Sequence, residues 1–213
     1  MSHPKLARAD HDVHELIRQR WSPRAFDGAR DVPRDELARL FEAARWAPSS
    51  RNEQPWRFIV VRRDPDSDAR RALVAALTPG NQAWATAAPV LVVAAVRLTL
   101  EGDESQNPLA WYDAGQAVAL LTVQATSQGL SVRQMEGFDR EGARLALGVP
   151  AGFDPAVVMA IGYAGDPEAL TLEKHRDAER QPRRRKSIGD FVFEEVWGRV
   201  FQPPTSSITR DSV

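Results

Sequence analysis

The chain contains no cysteine. That excludes disulfides, thiolate nucleophiles, iron–sulfur clusters and cysteine-ligated zinc, and it agrees with a reducing compartment. Redox work would need a borrowed cofactor. Net charge is nearly absent too: 28 Lys and Arg against 29 Asp and Glu leave −1 over 213 residues. No bulk field therefore draws the chain to nucleic acid or anionic membrane, and anion binding has to come from local clusters. Long apolar runs are missing. The longest, Ala88 to Val96, is far too short to span a bilayer, and the start MSHPKLARADHDVHELIRQRW has neither the apolar stretch nor the cleavage site of a secretory signal. A soluble cytoplasmic protein is the expectation. A Gly-x-Gly-x-x-Gly loop is also lacking, because Ile161-Gly-Tyr-Ala-Gly165 has the wrong spacing, so any bound phosphate must be held by arginines.

What is present suffices for a full core, with 43% of residues hydrophobic. The expectation is one domain over residues 1–213, with a core of about 13–198 and a tail, 199–213, that is extended or packed on a partner chain. Asp10 and Asp12 are candidate caps for a first helix bearing Val13, Leu16 and Ile17 and ending at Arg20. Pro33, Asp35 and Glu36 open a second, with Leu37, Leu40, Phe41 and Ala44 at helical spacing. Phe58–Val61 and Pro89–Val96 read as strands, the latter apolar on both faces; Asp66–Leu77 reads as a helix broken at Thr78-Pro79-Gly80. Residues 107–128 form the longest helical stretch, with Leu109, Tyr112, Gln116, Leu120 and Val123 on one side and Gly129 as its stop. Leu130–Met135 and Val157–Tyr163 are further strands, flanking a short helix from Asp139 to Gly148. Residues 166–186 read as an extended surface segment before a last helix around Ser187–Trp197. Strands alternating with helices indicate an α/β or α+β sandwich.

Four segments could carry chemistry. Arg20-Trp21-Ser22-Pro23-Arg24 offers two guanidiniums and a hydroxyl that can meet one phosphate, although arginines at a helix end also suit its dipole. Ala47-Pro48-Ser49-Ser50-Arg51-Asn52-Glu53-Gln54-Pro55-Trp56 presents polar groups suited to the edge of a flat heterocycle; such groups equally satisfy a loop's own backbone. Gln134-Met135-Glu136-Gly137-Phe138 ends a strand, where a glycine allows close backbone approach to a ligand, or simply a turn. Arg183-Arg184-Arg185-Lys186 is either a solvated face or an anion contact, nucleic acid included. His11 and His14 have metal-ligand spacing but no third ligand in view, and Trp111 and Tyr112 suit core or dimer interface better than a substrate pocket.

Together these segments resemble the nitroreductase family of FMN enzymes, over most of the chain from about residue 13 to 198. The most specific match is Ala-Pro-Ser-Ser-x-Asn-x-Gln-Pro-Trp at 47–56, supported by Arg-x-Ser-x-Arg at 20–24. The resemblance implies an α+β fold: a three-layer α/β/α sandwich with a central, mostly antiparallel mixed sheet, a long central helix and an intertwined homodimer. It further implies that Arg20, Ser22, Arg24, Arg183 and Arg185, with Trp21 beside them, grip the FMN phosphate and ribityl chain. Pro48, Ser49, Ser50 and Asn52 would reach the flavin from the partner subunit, while Met135 and the backbone amides of Glu136 and Gly137 would face its N5–O4 edge. Asn81 could hydrogen-bond the ring; Gln54 is a polar neighbour without an assigned contact.

On the same resemblance, NADPH or NADH is a transient donor whose hydride passes through flavin N5 to a nitroaromatic, quinone or similar acceptor in a ping-pong cycle. No side chain acts as acid, base or nucleophile. Alternatives within the fold are an enone or semialdehyde reductase, a reductive dehalogenase, or an FMN-binding protein without fast turnover. Two features depart from the pattern: Trp84 stands near the position where many members carry a lysine, and the four-residue basic run permits a one-residue slip in assigning Arg183 and Arg185.

Overall fold

The computed structural model describes residues 5–202. Its centre is strand β2, Val90–Arg97, buried along its length from Val90 to Val96. On either side lie β1, Trp56–Arg62, and β4, Phe153–Gly162, and β3, Ser131–Met135, completes the order β1-β2-β4-β3. Every pairing among these strands is antiparallel, so the parallel component expected of a mixed sheet is not found among the described residues. Alternation along β2 sends side chains to two different cores. Val90, Val92, Ala94 and Val96 meet helices α2, Arg34–Arg45, and α5, Ala110–Ser127. Leu91 and Val93 face the opposite layer, built from α3, Asp68–Ala76, α4, Pro79–Ala85, and α6, Arg140–Leu147. The result is the three-layer α+β sandwich anticipated from the sequence.

Helix α5 turns a small-residue face inward: Ala110, Ala114, Ala117, Leu121 and Ala125 are buried against α2 and the sheet. The expected stripe of Leu109, Tyr112, Gln116, Leu120 and Val123 lies on the other side, with Tyr112 68% exposed. Alanines allow the closest approach of helix to neighbours, and the bulkier side chains are displaced outward. Gly129 ends the helix at φ +72°, and the Leu130 amide returns to the Ala125 carbonyl at 2.8 Å.

Other expectations are corrected. The first helix, α1, Glu15–Gln19, is capped by His14, whose Nδ1 accepts the Leu16 amide at 3.2 Å, and not by Asp10 or Asp12. Thr78-Pro79-Gly80 opens α4, because a proline suits the first helical turn. Within 166–186, read as extended, the chain forms a turn at Pro167–Ala169 and helix α7, Glu173–Arg180. The helix expected at Ser187–Trp197 is a single turn, Ile188–Asp190, closed by reciprocal bonds between Ser187 and Asp190; positive φ at Glu195 and Gly198 then bends the chain so that Phe193 bridges Val200. The tail beyond 202 lies outside the described residues. No described helix is long and apolar enough to cross a membrane.

Leu121 is fully buried and Leu145 is 75% exposed. Leu121→Ala is expected to destabilise the fold by about 2–5 kcal/mol through lost burial and a residual cavity, and Leu145→Ala by less than about 0.5 kcal/mol, measured by urea unfolding.

Candidate functional site

The segment after α1 is fixed at both ends of its turn. Arg183 Nη1 donates to the carbonyls of Lys5 (3.2 Å) and Arg18 (2.8 Å), and the Arg24 amide donates to Glu179 Oε1 at 3.0 Å. Beyond it, Phe26 bridges Ala164 just past β4. This route wraps the segment around a cavity of about 190 Å³ whose charged lining is Lys5, Arg20, Arg24, Arg133, Arg183, Arg185 and Glu179, with Trp21 and Ser22. Six cations thus face one carboxylate.

The crowding shows in the titration of these groups. Burial, with Arg185 nearby, holds the Arg20 guanidinium below its ordinary value. Burial and then Arg24 push Arg133 down to about 10, so it stays protonated at neutral pH. Arg183 is lowered by burial, Arg20 and Arg185. Lys5 is lowered by burial, which outweighs the opposing pull of Glu179. Cations that depress one another around a cavity form a site for an anion with several acceptor oxygens. Polar contacts already orient it: Arg20 Nη1 donates to Ser22 Oγ at 3.3 Å and Arg133 Nη1 to the Ser22 carbonyl at 2.6 Å. In the basic run, Arg183 and Arg185 line the cavity, and Arg184 and Lys186 are not among its lining residues.

At the end of β3, Met135 is buried and the chain turns through Glu136 and Gly137. The Gly137 carbonyl accepts both the Thr78 amide and Asn81 Nδ2, each at 3.0 Å. A Cβ on Gly137 would sit 2.9 Å from Thr78 Oγ1, so glycine is required by packing against the start of α4. The amides of Glu136 and Gly137 donate to no group among the described residues. Trp84, weighed above as standing in for a lysine, is 2% exposed: it stacks on Phe26 at 6.2 Å, and Arg133 lies 5.3 Å from its ring.

The serine loop holds three non-glycine residues at positive φ, Arg51, Asn52 and Gln54, a conformation that costs energy and persists only when the surroundings enforce it. Asp113, buried in the first turn of α5, accepts the Ser50 amide at 3.0 Å, and Ser49 Oγ accepts the Gln54 amide at 3.1 Å. Pro48 and Asn52 are exposed and Ser49 and Ser50 half-buried. The loop therefore belongs to the N-terminal end of α5. Arg20 and Trp21 instead line a second cavity, of about 430 Å³, with Thr126 and Gly129 at the C-terminal end. From Asp113 to Thr126 the helix rises about 20 Å. One chain does not bring the two groups together.

Lys5, Arg133, Glu179 and Asp113 were not singled out from the sequence. Asp113 had a signal, being the one charge in the otherwise uncharged stretch 110–128. The others had none, since a charge on an edge strand or a polar helix ordinarily faces water.

The family model for the nitroreductase family matches residues 17–163. An uncharacterized 15.4 kDa protein of Mycolicibacterium smegmatis is 36% identical over 148 residues, 67% of this chain and 97% of that protein. A putative NADH dehydrogenase/NAD(P)H nitroreductase of Streptomyces coelicolor is 28% identical over 163 residues, 66% of this chain and 78% of the relative. Among solved structures, the crystal structure of an oxidoreductase containing FMN superposes with a TM-score of 0.83 and 33% identity, covering 90% of this chain and 96% of that one. In class the protein is a flavin-dependent oxidoreductase. It belongs to the nitroreductase family.

Arg183 ties the N-terminal segment to α1, whose Arg18 carbonyl also accepts the Ala7 amide at 2.9 Å. Losing a charge-assisted bond of this kind costs about 1.5–3 kcal/mol. Arg183→Ala is expected to speed hydrogen exchange at the Ala7 amide about tenfold or more, leaving amides of β2 unchanged.

Proposed function

We propose that the chain is a single-domain, cytoplasmic FMN-dependent NAD(P)H oxidoreductase that reduces nitroaromatics, quinones or similar electrophilic acceptors. The observation that carries this reading is the cavity with six cations and one carboxylate. It fits a terminal phosphate, and the chain has no glycine loop for a pyrophosphate. The solved relative that contains FMN and the relatives named NAD(P)H nitroreductases support the choice of cofactor and donor.

On this reading Arg20, Arg24, Arg183 and Arg185 hold the phosphate with Ser22, and Trp21 closes the neighbouring wall. The undonated amides of Glu136 and Gly137 and the side chain of Asn81 supply neutral hydrogen-bond donors to the ring edge, with buried Met135 fixing the turn from below. Bound FMN would supply the hydride chemistry, which is why no side-chain acid, base or nucleophile is needed. NADPH and NADH are both acceptable donors for such a site.

The second part of the proposal is a homodimer with shared sites. Pro48, Ser49, Ser50 and Asn52 lie at the opposite end of α5 from the arginines, which favours their contribution by a second copy. Exposed apolar side chains support the pairing: Leu109 just before α5, Trp111, Tyr112 and Leu120 on it, Trp46 at the end of α2, and Trp197, 91% exposed, near the C-terminal tail.

The protein is expected to purify yellow and to release FMN, identified by chromatography of the denatured supernatant; recovery of FAD alone would overturn the reading. Arg20→Ala should weaken FMN binding about ten- to a hundredfold, and Arg184→Ala much less, by fluorescence titration. Shared sites are tested by co-refolding Arg20→Ala with Asn52→Ala in excess FMN, after each variant alone has been shown to be severely impaired. Half of the dimers are then mixed and carry one intact site, so roughly a quarter of wild-type quinone reductase turnover should return. If mixed dimers form and turnover stays at the parental average, the sites are not shared.

A further inference from the structure

Among the described residues, Glu179 is the one acidic side chain on the wall of the cationic cavity. It is 4% exposed, on α7, and its Oε1 accepts the Arg24 amide at 3.0 Å. Its Oε2 is buried with no hydrogen-bond partner among the described residues. A buried carboxylate oxygen without a hydrogen-bond partner is costly unless opposite charges lie near it. They come from every element around it: Arg24 from the segment after α1, Arg133 from β3, Lys5 from the N-terminal segment, and Arg20, Arg183 and Arg185 across the cavity. His175, one turn earlier on α7, is driven towards its neutral form by burial, Arg24, Lys174 and Arg133, and adds no full charge at neutral pH.

Neither a pure anion site nor a pure structural ion pair explains this arrangement. For a phosphate dianion a carboxylate in the wall is unfavourable; for the protein without ligand, six clustered cations without it would repel one another. We propose that Glu179 is a built-in counter-anion, a positioning residue that keeps the cations assembled while the site is empty and weakens their grip on the phosphate when it arrives. The inference rests on the reading of this cavity as the FMN phosphate site. Coupling follows from linkage: if removing the charge destabilises the empty protein more than the loaded one, the ligand must bind more tightly by the same amount.

The test is Glu179→Gln, which preserves shape and can still accept the Arg24 amide. Measurements are the melting temperature of the flavin-free protein and affinities for FMN and for riboflavin, which has the same ring and side chain without the phosphate. Expected for the variant are a melting temperature lower by about 2–4 °C or more, FMN binding tighter by about fivefold or more, and riboflavin binding unchanged. A merely structural glutamate would move FMN and riboflavin together. Weaker FMN binding, equal shifts for both flavins, or an unaltered melting temperature overturns the proposal.

If the variant does not fold without flavin, refolding with each flavin decides: recovery with FMN and not with riboflavin supports the counter-anion, and recovery with neither or both overturns it. Failure of the underlying reading looks different, because wild-type protein would then bind FMN no better than riboflavin. The melting temperature of the flavin-free variant still judges the counter-anion in that case.

Discussion

Like charges held together in a partly buried space are the constraint around which this molecule is arranged. Six cations on four separate stretches of chain converge on a cavity of about 190 Å³, and each stretch is tied down by a hydrogen bond to or from a backbone group. Arg24 is fixed through its backbone to α7, Arg133 through the sheet and the Ser22 carbonyl, Arg183 through the carbonyls of Lys5 and Arg18. Lys5 itself donates to the carbonyls of Ala178 and Gln181 at the end of α7, where the helix dipole favours a cation. Scaffold bonds of this sort let the guanidiniums face one another without the chain opening, and they leave remaining donors for a ligand. Lys5 and helix α7 are thus part of the cavity wall and not ornaments on a finished core.

The opposite end of α5 is arranged by a different device. Asp113 is an acid buried among alanines, and the Ser50 amide is what it receives in exchange for its lost hydration. That bond helps hold a loop with three positive-φ residues in an otherwise unfavourable shape. One helix therefore carries an anion-attracting cluster near its C-terminus and a strained polar loop at its N-terminus. On the proposed shared site, a second copy would bring one end of its α5 against the other end of the first.

Much of this was legible in the residues. The apolar run of β2, the turn of Asp139 into α6, the αL stop at Gly148 and the helical spacing in α2 all appear as read, because local propensity and burial agree there. Helix α7 was invisible for a physical reason: its buried residues are His175 and Glu179, so no hydrophobic period marks its inner face. The reverse happened at 187–197, where Val192, Phe193 and Val196 imitate a helical period. Phe193 instead packs at a tilt against Trp197, ring centres 4.9 Å apart, within a bridged turn. The motif arginines were legible as types and spacing, but the Arg133 and Lys5 contributions depend on packing between distant segments, which no local pattern encodes.

The division of polarity across the proposed site has its own logic. Full charges gather where a phosphate would keep its charge throughout turnover, whereas the turn at Glu136–Gly137 and Asn81 offer neutral donors. A fixed cation beside a group whose charge changes would favour one state over the other and slow the return step. Trp84, sealed between Phe26 and Arg133, is bulky and carries no formal charge. The positive field nearest to it comes from Arg133, whose guanidinium is engaged with the Ser22 carbonyl and so is oriented towards the phosphate side. On the proposed reading, electrostatic grip and electron-transfer chemistry are kept apart, with grip assigned to the cationic side chains and the ring edge left to backbone amides.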